Sequence, residues 1–110
     1  MKEHCAQLNR LSLSHLNFIF LPPAIGQLSQ LQRLYLHNNQ LTSLPETIGQ
    51  LSQLQQLYLD NNQLTSLPEA TAQLSQLKKL NLSNNRLTTI PQLLTGVEIL
   101  MRRNPLPTLP

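Results

Sequence analysis

Most of the features that announce chemistry are scarce in this sequence. Its 110 residues hold one cysteine, three glycines, two Phe, two Tyr and no Trp. Cys5 has no intramolecular partner, which excludes a disulfide framework and leads to the expectation of a reducing compartment, the cytoplasm. No C-x-x-C or H-x-x-x-H spacing is present for a zinc site, and Gly26, Gly49 and Gly96 are too scattered to cradle a phosphate. The opening residues, MKEHCAQLNR, lack the apolar run of a signal peptide, and no apolar stretch approaches the ~18 residues of a membrane span. A soluble chain with no membrane partner and no cofactor is expected. Charge is sparse as well: eight Lys and Arg against five Asp and Glu give a formal net charge of +3, with no run of four basic residues. That is too dilute for a nucleic-acid arm.

What the chain has is aliphatic residues in a strict rhythm. Hydrophobic residues make up 40% of the sequence, enough for one globular domain over residues 1–110. Residues 28–50, LSQLQRLYLHNNQLTSLPETIGQ, recur as residues 51–73, LSQLQQLYLDNNQLTSLPEATAQ, and again from 74 as LSQLKKLNLSNNRLTTIPQ. The period is 23 residues. Stepping back one period from Leu31, Leu34, Leu36, Leu41, Leu44 and Ile48 reaches Leu8, Leu11, Leu13, Phe18, Leu21 and Ile25, so residues 5–27 form a disguised first repeat. Cys5 then fills a Leu slot, and Leu16 stands where later repeats have Asn. After the repeat at 74–92, a shortened one occupies 93–110 in either of two registers. Anchoring on Asn104 places Ile99, Met101, Leu106 and Leu109 in apolar slots, whereas the alternative takes Val97 and Leu100 as the opening pair.

Each part of the repeat has a physical reason. In R-L-Y-L-H and Q-L-Y-L-D, residues 33–37 and 56–60, apolar and polar side chains alternate with the period of a strand that buries one face. Successive strands stack in parallel about 4.8 Å apart, with Leu11, Leu34, Leu57 and Leu80 in one buried column and Leu13, Leu36, Leu59 and Leu82 in another. Asn39, Asn62, Asn85 and Asn104 supply side-chain amides for the turn that follows. Ser43 to Glu46, Ser66 to Glu69 and Thr89 to Gln92 match a helix-start capping box with Pro in the first turn. Ile48 and Leu51 plug the resulting short helical or 3₁₀ turn into the core, a wall that Thr71 and Ala72 weaken in the next repeat.

The form L-x-x-L-x-L-x-x-N-x-L followed by L-P-E-x-I-G-Q-L resembles the leucine-rich repeats of bacterial chains, of Roco GTPases and of the Ras-group scaffolds. The resemblance covers essentially the whole chain. It implies an α/β solenoid, a horseshoe with a concave parallel sheet and short helical or 3₁₀ turns on its convex side, and a protein-binding role.

The polar strand positions face outward and form columns of residues one period apart. These run Arg10, Arg33, Gln56, Lys79; Ser12, Tyr35, Tyr58, Asn81; Ser14, His37, Asp60, Ser83; His15, Asn38, Asn61, Asn84; and Asn17, Gln40, Gln63, Arg86. Ser14, His37 and Asp60 mimic a catalytic order of residue types, but an open wet face without an oxyanion site argues for a solvated His–Asp contact and no enzyme. His15 with His37, and His4 with Cys5, lack the convergence a metal needs. Tyr35 and Tyr58 side by side suit a binding anchor and equally suit a strand ladder. The candidate partner-binding residues are therefore Arg33, Tyr35, His37, Tyr58, Asp60, Lys79, Asn81 and Arg86.

With the last repeat in the register set by Asn104, Arg10, Arg33, Lys79, Arg86, Arg102 and Arg103 fall on or beside the face, against Asp60 and Glu98, so a protein or peptide of acidic character is the expected partner. Five strands give a face only about 20 to 25 Å long, which favours a transient or peptide-like partner. The rival reading is a fragment of a larger protein whose GTPase, kinase or ligase domain lies elsewhere. Incompletely capped ends make self-association an expectation too, unless Phe18, Ile19 and Phe20 cover the first repeat.

Overall fold

The computed structural model describes residues 8–89 and 96–105. Expectations that concern His4, Cys5, Ile90 to Gln92, Leu106 and Leu109 fall outside them. Alternation produces five three-residue strands: β1 (Arg10–Ser12), β2 (Arg33–Tyr35), β3 (Gln56–Tyr58), β4 (Lys79–Asn81) and β5 (Glu98–Leu100). They pair in parallel in chain order, with Leu11, Leu34, Leu57, Leu80 and Ile99 level across the sheet. Leu34, Leu57 and Leu80 are fully buried while their strand neighbours are half-exposed, the outcome expected when one face meets a core. At the two ends Leu11, Leu13, Ile99 and Met101 are only partly buried, because an end repeat has a neighbour on one side alone.

The pairing of Leu80 with Ile99 decides the register of the last repeat in favour of the Asn104 anchor. The alternative with Val97 and Leu100 as the opening pair is overturned. Leu100 instead stands level with Asn81 on the outward face, and Glu98 level with Lys79.

The asparagine column does more than satisfy its own turn. Asn62 Oδ1 accepts from the Leu41 N–H at 3.0 Å, and its Nδ2 donates to the carbonyls of Leu36 and Leu59 at 3.0 Å each. Leu41 and Leu36 belong to the preceding repeat. Asn85 repeats the pattern on Leu64, Leu59 and Leu82, and Asn104 repeats it on Leu87, Leu82 and Met101. Asn39 likewise reaches back, accepting from the N–H groups of Leu16 and Phe18. Each asparagine therefore holds the turn of the repeat before it. Just ahead of each one the chain takes positive φ, at Asn38 (59°), Asn61 (60°), Asn84 (57°) and Arg103 (60°), and His15 (60°), ahead of Leu16, does the same. Asn tolerates that left-handed geometry better than most residues, which accounts for its recurrence in a column that otherwise reads as plain surface.

On the convex side, 3₁₀ turns span Pro23–Gln27, Glu46–Gln50 and Glu69–Gln73. The capping boxes expected at Ser43 and Ser66 do not form: no side chain caps these turns, and Pro45 and Pro68 hold the cap position in extended backbone. The reason is local. A proline disfavours helical backbone at the residue before it, so the chain stays extended through Leu44 and Leu67 and carries the serine away from the turn. Ile48 and Leu51 are fully buried beneath the second turn. Thr71 takes the equivalent core slot in the third, 3% exposed, and its hydroxyl finds no hydrogen-bond partner among the described residues. Successive turns approach so closely that a Cβ on Gly26 would lie 2.7 Å from the Thr47 carbonyl, and one on Gly49 2.7 Å from that of Ala70.

Candidate functional site

Because buried leucines occupy alternate strand positions, the intervening side chains share the concave face, and parallel pairing sets them side by side. Tyr35 is level with Tyr58, and Arg33 lies between Arg10 and Gln56. The two tyrosine rings stack with centroids 4.9 Å apart and planes within 4° of parallel. The Tyr58 hydroxyl donates to Gln56 Oε1 at 2.8 Å, and Lys79 Nζ lies 5.7 Å from the Tyr58 ring centroid. A cation over a phenol ring is attracted by its quadrupole, so Lys79 both closes and polarises this end of the stack.

The His37–Asp60 contact expected for the third column does not form. The His37 ring instead meets Tyr35 edge-on at 6.3 Å and His15 edge-on at 5.6 Å. Edge-to-face packing with two rings supplies His37 with more contact area than a solvated carboxylate offers. His15 is in turn held by Asn38, with Nδ2 2.9 Å from His15 Nε2. Ser14 Oγ is 3.2 Å from Ser12 Oγ, so none of the three residues that imitate a catalytic triad is hydrogen-bonded to another. Among the described residues no group of three or more His, Cys, Asp or Glu side chains could hold a metal ion.

The candidate residues fall into two groups. Tyr35, His37, Tyr58 and Lys79 form one continuous chain of ring and cation contacts that runs from β2 to β4, and Asn81 sits beside it with Oδ1 accepting from the Ser83 N–H at 3.1 Å. Arg33 is half-buried on the same face, and so is Asp60 just beyond β3, whereas Arg86 lies one residue beyond the Asn85 turn and is exposed. His15 and Gln56 were not among the candidates, yet both contact the ring chain directly. The 23-residue step from Asn38 and from Arg33 is the signal that points to them. Leu100 joins the tyrosine column only once the last register is known.

Ile19 and Phe20 do not cover the first repeat; they remain 60% and 67% exposed, and Phe18 alone packs against the core. No helix among the described residues is long and apolar enough to cross a membrane.

A family model described as a leucine-rich repeat region matches residues 3–102. Among solved structures, the chain is similar to a leucine-rich repeat protein of Leptospira interrogans at 38% identity and a TM-score of 0.75, covering 94% of this chain and 33% of that one. It is similar to the leucine-rich repeat domain of APL1B at 25% identity and a TM-score of 0.82, covering 98% and 34%. An internalin (inlF) from Listeria monocytogenes matches at 27% identity and a TM-score of 0.78, covering 93% and 30%. The chain thus spans about a third of the length of the solved chains it matches. No curated protein matches significantly.

Proposed function

The chain belongs to the leucine-rich repeat family, and on that premise we propose that it is a non-catalytic module whose concave face binds a protein or peptide of acidic character. The observation that carries this reading is the ring chain from His37 through Tyr35 and Tyr58 to Lys79, an amphipathic surface of the kind that supplies anchor contacts at low entropic cost. Charge supports it. Arg10, Arg33, Lys79, Arg86, Arg102 and Arg103 fall on or beside the same face, against Asp60 and Glu98, so the summed field favours an anionic ligand and speeds its encounter.

The test reverses Arg33 and Lys79 to Glu together and measures association with an acidic partner peptide at low and at moderate salt. Slower association and a weaker salt dependence are expected, with an unchanged fold, since both side chains lie on the outer face. Equal association at low salt would remove the basic face from the reading.

A second reading is favoured by the span of about a third of each matched chain: the repeats act as the recognition part of a larger protein whose GTPase, kinase or ligase domain is separate. The L-P-E-T-I-G-Q-L segment at 44–51 supports a kinship with Roco-associated and Ras-group repeats, and the lone cysteine supports a cytoplasmic setting.

A further inference from the structure

The tyrosine stack is closed at one end and open at the other. Its ring spacing of 4.9 Å matches the strand spacing of about 4.8 Å, so each strand of the sheet offers one rung. Beyond Tyr58, Lys79 covers the ring. Beyond Tyr35, the paired position on β1 is Ser12, whose side chain ends at a hydroxyl 3.2 Å from Ser14 Oγ. Among the described residues the Tyr35 ring stacks on Tyr58 and meets His37 at 82°, and it has no second stacked ring and no cation over it. The face away from Tyr58 looks over a floor of two small serines, with the His15–His37 pair along one side and Arg10 and Arg33 along the other.

We propose that the open face of Tyr35, above Ser12, receives an aromatic side chain of the partner, carried in a segment with carboxylates next to the ring. This rests on the concave-face reading above and names the anchor. A flat ring continues the stack at the spacing the sheet already imposes and stands on Ser12, where a longer native side chain would block it. An aliphatic group fills the space without the stacking. A planar guanidinium would stack but brings positive charge beside Arg10 and Arg33, whereas carboxylates flanking a ring meet those two residues favourably.

The experiment titrates the full chain with the synthetic peptides GEDYDEG and GEDADEG and follows it by two-dimensional NMR. The tyrosine peptide binds roughly three- to tenfold more tightly than the alanine peptide, and its ring current moves the Ser12 and Ser14 proton resonances upfield. Ser12→Tyr fills the rung from within and abolishes the difference between the peptides. Ser12→Leu is the second blocking variant, and Ser12→Ala retains the preference. Equal affinity for both peptides, or a preference that survives both blocking variants, overturns the proposal. If the peptides bind equally and the Arg33→Glu, Lys79→Glu double variant abolishes both, the acidic-ligand reading stands and the aromatic anchor falls. If neither peptide binds, both fall. Preference for oligothymidine over GEDYDEG would assign the open face to a nucleobase and likewise overturn the proposal.

Discussion

Leu57 lies fully buried between Leu34 and Leu80, so a charge placed there has no route to water. Leu57→Asp forfeits about 2 to 5 kcal/mol of packing and adds a desolvation cost of several kcal/mol for the carboxylate. Against a domain stability of about 5 to 15 kcal/mol that is enough to unfold the chain, and circular dichroism with thermal melting will show it. A mutant with the parent spectrum and midpoint would refute the stacked column. Asn62→Ala has a smaller, more specific cost. The Leu36 and Leu59 carbonyls keep their bonds from Asn39 and Asn85, whereas the buried Leu41 N–H loses its acceptor. One orphaned donor costs about 1 to 3 kcal/mol, readable in urea denaturation. Asn62→Asp is expected to cost more than Asn62→Ala, because it keeps that acceptor but aims a carboxylate at two carbonyl oxygens 3.0 Å away. Thr71→Val removes the unpartnered hydroxyl at nearly constant volume and raises stability by about 1 kcal/mol or more. No gain would mean that the hydroxyl is satisfied.

Strands were legible because their alternation is a property of single residues. The Leu columns follow directly from a 23-residue step. The convex turns were harder to read. Ser43, Pro45 and Glu46 carry the letters of a capped helix, and only the backbone restriction imposed by proline on Leu44 tells a five-residue 3₁₀ turn from it. Spacing alone did not reveal the direction of the asparagine bonds either, because a period gives positions and not which neighbour is addressed. In the site, the tyrosine pair could be read from the columns, but the turn of His37 toward His15 and away from Asp60 depends on rotamers that no spacing encodes. The contact between turns yields a prediction at this scale. A Gly→Ala change at ordinary φ usually gains about 0.4 to 1 kcal/mol by restricting the unfolded chain. Gly49→Ala must instead push aside the Ala70 carbonyl, an overpacking cost of about 1 to 3 kcal/mol. A lowered melting temperature is expected, and a raised one would show that the turns are free to separate.

At the scale of the whole stack, Leu8, Leu11 and Leu13 at one end and Val97, Ile99 and Met101 at the other are only partly covered, because an end repeat has a neighbour on one side alone. The 110-residue chain is therefore expected to self-associate end to end as its concentration rises, which sedimentation velocity will detect as an increasing weight-average coefficient. A monomer across the whole range, with high thermal stability, would show that the ends are better protected than their partial burial implies.

Because every asparagine latches the turn behind it, a repeat cannot complete its own hydrogen bonding until its successor is present. On the ribosome, where the amino-terminal end emerges first, each repeat would wait loosely folded and then be locked as the next one is made. Assembly thus runs as a ratchet with a built-in direction, and a chain released early would always be weakest at its most recently synthesised turn.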